Sequence, residues 1–346
     1  MYRNERGPES SPESSDGVNG EGKMHSASTR EMTPYVAVHS GREFLAQPSR
    51  WPAEAVPLAP GGCEGVFTEI ILPGMHLTIT RNLQQLGIFG GCPKASYTFS
   101  FYHGMRTDGR INGENLPAGY SIFVRERQYD LSIPPLTFIS ISIAKNVLDG
   151  LFASLYGMAP AVPDDDRIAV RDLPMAVAAS AQLQRIADFC RSDPTRIGAL
   201  EVQQEIIEEA MEVVAPLVLA GPPVELDRAT GCRHQLVKRA REIMISRIDQ
   251  PLRIQGICDQ LGVSRRALQY GFQDVLGLSP LNYLRQLRLT FARRKLRTAS
   301  HKTEVGDVIN RCGFGHAGRF SSAYRGAFGE LPSETLKRSH QDAKLR

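Results

Sequence analysis

Apolar positions change their spacing twice along this chain, and the changes divide it. From Tyr35 to about Leu155 they fall in short runs: Val66 to Leu72, His76 to Thr80, Gln85 to Phe89, Tyr97 to Tyr102, Tyr120 to Val124 and Leu136 to Ile143. Gly and Pro punctuate the runs about every eight to twelve residues, the rhythm of an antiparallel barrel or sandwich. From Pro174 the spacing lengthens to three and four. Leu183, Ile186 and Ala187 stripe a helix over 174–191, and Val202, Ile206, Ala210, Val213 and Val214 stripe a second over 198–219. Such helices pack on their own β-rich domain or against another subunit. Gly221-Pro222-Pro223 then breaks the pattern, and the residues to about Gly231 read as a linker that lets the following segment reorient.

Helical spacing resumes as a doubled unit. Ile257 and Leu261 mark a two-turn helix with the small Cys258 at a close-approach position, Gly262 ends it, and Val263 follows as a plug. Ser264 is a natural N-cap for a second helix with Leu268 and Phe272 facing inward, which leaves Arg266, Gln269 and Tyr270 on the outer face. The pattern returns with Val305, Val308 and Ile309, a break at Gly313, Phe314 in the place of Val263, and a helix after Gly315 and His316. Phe320, Tyr324 and Phe328 face inward there, and Arg319, Ser321, Ser322 and Arg325 face outward. Between the units, Ser279 and Pro280 start a helix that meets no further glycine or proline before Thr298, with Leu281, Leu284, Leu287 and Phe291 as its stripe. At about 1.5 Å per residue it spans roughly 30 Å, close to the roughly 34 Å between successive major-groove faces of B-DNA.

Composition and charge sharpen this division. The first 33 residues are rich in Ser, Glu, Gly and Asn and read as a disordered tail. The formal charge of +4 hides a polarised chain: residues 228–346 hold 23 Lys and Arg against 9 Asp and Glu, and residues 1–227 hold 18 against 28. A cationic C-terminal part attracts phosphate backbones, whereas an acidic N-terminal part is repelled by them. Arg265 and Arg266 lie in a first helical turn, where the dipole disfavours cations by roughly 0.3–1 kcal/mol; a phosphate or a guanine edge reverses that sign. Arginine pairs bidentately with guanine and glutamine with adenine, so this face has the chemistry to read bases. The plainer alternative for one such unit is a solvated face on a helical hairpin; two units in about a hundred residues argue against it.

The run Ser264, Leu268, Phe272, Gly277-Leu278-Ser279-Pro280, Tyr283 and Arg288, then Gly313-Phe314, Phe320, Phe328-Gly329 and Pro332, resembles the DNA-binding domain of the AraC/XylS transcription regulators. The resemblance covers roughly 235–336, and Leu268-Gln269-Tyr270 with Gly329-Glu330-Leu331-Pro332-Ser333 is nearest the subset of ethanolamine-operon regulators. It implies two helix-turn-helix subdomains joined by a long helix, with base contacts from Arg266, Gln269, Tyr270, Arg319, Ser321 and Ser322. Backbone contacts are expected from Ser264, Arg265, Arg288 and Arg325. Tyr270 and Ala323 depart from residues common in the family.

The resulting expectation is an α+β chain: a disordered tail over 1–33, a β-rich cupin-like sensor barrel over 34–165, and a helical segment suited to dimerisation over 166–221. A linker over 222–231, the DNA-binding domain over 232–340 and a short tail over 341–346 complete it. The implied function is a sequence-specific regulator, an activator answering a small-molecule effector, with promoter DNA, RNA polymerase and a second copy of itself as partners. No apolar run approaches the roughly 20 residues of a membrane span, and no signal core opens the chain, so a soluble cytoplasmic protein is expected.

The competing reading is a metal-dependent cupin-type enzyme with an accessory DNA-binding domain, since Leu116-Pro117-Ala118-Gly119-Tyr120 resembles a cupin turn. Metal cupins pair two histidines in H-x-H; here His76 and His103 stand apart and read as partly exposed strand or loop residues. Asp164-Asp165-Asp166 reads as a solvated loop. Gly90 to Lys94 lacks the spacing of a phosphate-binding loop, and no G-x-S-x-G or H-E-x-x-H occurs. The six cysteines, Cys63, Cys92, Cys190, Cys232, Cys258 and Cys312, form no C-x-x-C pair and read as packing residues in a reducing compartment. Catalytic residues, metal and cofactor are therefore not expected.

Overall fold

The computed structural model describes residues 33–41, 49–51, 53–58, 64–103, 109–111, 114–116, 120–125, 129–160, 169–172, 174–219, 224–225, 232–299, 303–314 and 316–344. Its strands are β1 (Tyr35–Gly41), β2 (Ala53–Pro57), β3 (Gly65–Leu72), β4 (Met75–Asn82), β5 (Leu86–Gly90), β6 (Ser96–His103), β7 (Gly109–Ile111), β8 (Glu114–Leu116), β9 (Tyr120–Arg125), β10 (Tyr129–Ile133), β11 (Leu136–Ala144), β12 (Ala169–Asp172) and β13 (Val224–Glu225). The helices are α1 (Lys145–Tyr156), α2 (Pro174–Ser192), α3 (Leu200–Leu219), α4 (Cys232–Ser246), α5 (Ile254–Leu261), α6 (Arg265–Leu276), α7 (Pro280–Arg297), α8 (Val305–Arg311), α9 (Ala317–Phe328) and α10 (Pro332–Lys344). Nearly all of the tail expected over 1–33, the turn at 117–119, the acidic run 164–166 and most of the linker 222–231 lie outside the described residues.

Where a cupin-like barrel is expected for the N-terminal part, the described strands form no closed barrel. The strands make two antiparallel sheets, one in the order β1-β3-β4-β11-β6-β9-β12-β13 and one in the order β2-β5-β10-β7-β8, and among the described residues no strand joins them. The sandwich follows from what each face of the large sheet meets. Ile70, Leu72, Leu77, Ile79, Ile139, Ile141 and Ile143 turn to one side and are covered by Leu148 and Phe152 of α1, Leu183 and Ile186 of α2, and Ile206 and Val214 of α3. Phe138 and Tyr102 turn to the other side and pack on Leu86, Ile88, Ile111 and Leu131 of the small sheet. Period-two alternation sends residues i and i+2 to the same face, so both faces are used. Each fully buried Leu, Ile or Phe contributes about 1.5–3 kcal/mol. The apolar stripes of α2 and α3, which the sequence leaves to their own domain or to a second subunit, pack into the core of the large sheet.

In the C-terminal part, α4, α5, α6 and the first half of α7 share one core built on Val237, Met244, Ile257, Leu268, Phe272 and Tyr283. The second half of α7 joins α8, α9 and α10 around Leu289, Leu296, Val308, Phe320, Tyr324 and Phe328. The 18-residue α7 is capped as its sequence predicts: Ser279 Oγ accepts from the Asn282 N–H at 3.2 Å, and Pro280 occupies the first turn. Leu281, expected in its inner stripe, is instead 64% exposed, because the burying surface lies over Tyr283, Leu284 and Leu287.

The two parts meet through a buried joint. Val56, Leu58 and Phe89, from β2 and β5 and the residue after β2, belong to the same core as α4 and Tyr283. Arg241 of α4 is 7% exposed; it donates from Nη1 to Asp130 Oδ2 of β10 at 2.5 Å and from Nε to the Tyr283 hydroxyl at 3.1 Å, and lies over the Phe89 ring. The reorientation expected of a free linker therefore has a packed, ion-paired contact to break.

Candidate DNA-binding interface

Each helix-turn-helix is set by local chemistry. Gly262 closes α5 at φ 67° and Gly313 follows α8 at the same φ, a left-handed backbone that side chains with a Cβ resist. The Val263 N–H then reaches Cys258 O at 3.0 Å and the Phe314 N–H reaches Ile309 O at 3.3 Å, equivalent bonds that tie the two turns down in the same way. Ser264 Oγ caps α6 by accepting from the Ala267 N–H at 3.1 Å. No side-chain bond caps α9, whose N-cap is His316.

The outer faces carry what the sequence assigns to them. Leu268, Phe272, Phe320, Tyr324 and Phe328 are buried, while Ser264, Arg265, Arg266, Gln269 and Tyr270 on the first unit and Arg319, Ser322 and Arg325 on the second are exposed. Ser321 is half-buried. Arg266 and Tyr270 are not independent: Arg266 Nη2 donates to the Tyr270 hydroxyl at 3.3 Å, and its guanidinium carbon lies 5.4 Å from the ring centroid. Tyr270, a departure from the family's usual residues, thus orients a neighbouring arginine.

Arg288 does not join this surface. Its Nη2 donates to Gln250 O at 3.1 Å, its guanidinium packs against the Gly313 turn, and burial lowers its pKa. An arginine folded against two backbone segments of its own domain is a strut between the helix-turn-helix units. A second strut is Arg293, 2% exposed, which donates to Glu330 Oε1 at 3.3 Å and lies over the Phe328 ring. Glu330 also accepts from Arg338 at 2.6 Å, tying α7 to α10.

Beneath these units, where α7 crosses the small sheet, lies a cavity of ≈ 530 Å³. Trp51, Phe67, Tyr129 and Phe138 wall it on the sandwich side, and Leu287, Thr290, Phe291 and Arg294 wall it from α7. None of these was singled out as a pocket residue by sequence spacing, because the cavity exists only once segments more than a hundred residues apart are brought together. Glu54 and Arg294 close an ion pair of 3.3 Å, each about half exposed.

His76, expected to be partly exposed, is fully buried, with Nε2 2.9 Å from Glu69 Oε1 and its ring 4.9 Å from Trp51. It lies on the strand face that turns into the sandwich. Burial pushes the Glu69 carboxyl up, but His76, Ser49 Oγ and the Arg50 N–H bonded to it more than offset this and hold it below its usual range. The alternation of 66–72 and 76–80 put Glu69 and His76 on one face of a hairpin, a signal available in the sequence. The His103 side chain lies outside the described residues; among those described, no three His, Cys, Asp or Glu side chains cluster to hold a metal. Cys92, Cys190, Cys258 and Cys312 are buried packing residues.

Residues 257–338 match a family described as a helix-turn-helix domain. The probable thc operon regulatory protein of Rhodococcus erythropolis is 38% identical over 103 residues, 30% of this chain and 31% of that protein. The HTH-type transcriptional regulator ArgR of Pseudomonas aeruginosa is 35% identical over 111 residues, 32% of this chain and 33% of that protein. A solved probable AraC family transcriptional regulator from Rhodopseudomonas palustris is 32% identical, covering 30% of this chain and 97% of that one, with a TM-score of 0.29. The chain thus spans about a third of the length of these two curated relatives, and both are named as regulators. Residues 257–338, with two glycine-turned helix pairs on one connecting helix, thus form a helix-turn-helix domain of the AraC type, like that of the transcription regulators they match.

Proposed function

We propose that the chain is a sequence-specific transcription regulator, an activator, whose helices α6 and α9 read adjacent major-groove segments while the N-terminal sandwich takes a small-molecule signal. The observation that carries this reading is the pair of exposed faces, Arg266 with Gln269 and Arg319 with Ser322, on helices whose other faces are buried in the two cores served by α7. One chain carries both reading heads, so occupancy of two groove segments needs no second copy. As an activator it would contact RNA polymerase from the same promoter complex.

Footprinting on the promoter it occupies tests the reading. Arg266→Ala and Arg319→Ala should each weaken specific binding by about 1–3 kcal/mol while leaving the fold intact. Wild-type footprints from both variants would remove these residues from the interface. Equal affinity for promoter and random DNA at fixed salt would reduce the protein to a non-specific binder.

A further inference from the structure

We propose that the cavity at the joint is the effector site, that it takes an uncharged aromatic compound bearing a hydrogen-bond acceptor oxygen, and that α7 forms one of its walls. The proposal rests on the regulator reading above and names the ligand class and the helix through which it acts.

Size and lining come first. At ≈ 530 Å³ the cavity lies in the range of small-molecule sites, and its walls are mainly apolar, with the aromatic rings of Trp51, Phe67, Tyr129, Phe138 and Phe291 set among aliphatic side chains. Two polar groups in it are left with something to give. The Tyr129 hydroxyl accepts from Trp51 Nε1 at 3.0 Å, so its own proton remains to be donated, and burial holds the phenol far above its usual pKa and therefore protonated. Thr290 Oγ1 is buried without a hydrogen-bond partner among the described residues, although a helical threonine ordinarily bonds a carbonyl one turn back. A buried hydroxyl left so is costly, and an acceptor on a ligand satisfies it.

The charge of the ligand follows from Glu54 and Arg294. They are paired with each other at 3.3 Å, so neither is left over for a charged guest, and an ion entering this mainly apolar space would lose its hydration without a countercharge. A ligand touching both the sandwich and α7 binds differently to the packed and the separated joint, which is the condition for shifting one toward the other.

Trp51 is the chain's single tryptophan, so its emission reports the cavity alone. Full-length protein is titrated with three probes of one shape: 2-acetylnaphthalene, the anion 2-naphthoate and the hydrocarbon 2-ethylnaphthalene. The expected result is saturable quenching by 2-acetylnaphthalene, about tenfold tighter than by either of the others. Thr290→Val and Tyr129→Phe, with circular dichroism confirming their folds, should each weaken the ketone by about fivefold and leave the hydrocarbon unchanged. Naphthoate or ethylnaphthalene binding as tightly as the ketone, variants without effect, or no saturable response to any probe would overturn the proposal. Promoter footprints of the ligand-free protein separate the two failures: retained protection with a silent Trp51 removes only the effector site, whereas lost protection removes the regulator reading itself.

Discussion

Arg241 is a charged side chain buried where a leucine would ordinarily sit, held by Asp130, Tyr283 and the Phe89 ring. Removing one member of such a pair strands the other without water, whereas removing both spares that cost. Arg241→Met should therefore destabilise the protein by about 3–5 kcal/mol in urea unfolding, and Asp130→Leu added to it should restore most of the loss. Nothing local in the sequence marks this contact, since its partners are 111 positions apart on a helix and a strand that each read as ordinary. Residues whose role is local were legible: Ser264 and Ser279 cap the helices they were expected to cap, because a cap depends on three neighbouring residues and not on the fold. Arg288 shows the boundary between the two cases. Its place on α7 was readable, but its inward turn depends on where Gln250 and Gly313 come to lie.

At the scale of elements, the glycines of the helix-turn-helix units divide into those that shape a turn and those that merely occupy a helix. Gly313 sits at φ 67°, and a Cβ built there meets Arg288 Nη2 at 3.0 Å. Gly256 lies within α5 with nothing within 4 Å of the same position. Gly313→Ala should lower stability by about 1–2 kcal/mol, and Gly256→Ala should raise it by about 0.5–1 kcal/mol. Thermal unfolding of the two variants side by side checks both signs. The strands and helices themselves were legible because alternation and three-four spacing are written into neighbouring residues. Closure of the strands into a barrel was not, because it depends on which edges find partners. The short β12 and β13 extend one edge of the large sheet instead.

Across the whole molecule, the sandwich and the DNA head are coupled by charge as well as packing. His234, near the start of α4, is 6% exposed; burial first, then Arg241 and Lys238, lower its pKa to about 4. In the unfolded chain the imidazole takes its proton near its ordinary 6.5, so between those values the unfolded state binds more protons and acid favours unfolding. Stability should be unaffected by this group above pH 6.5 and fall progressively as pH drops from there toward 4. His234→Gln should flatten that part of the pH profile in urea titrations. The joint also bears on how this protein can be taken apart. A hybrid in which a foreign sensor replaces the sandwich would leave Arg241 facing no carboxylate and uncover Val237 and Tyr283, which now share a core with Val56 and Phe89. The two halves are thus not interchangeable cassettes, and a working graft has to bring its own counterparts of Phe89 and Asp130.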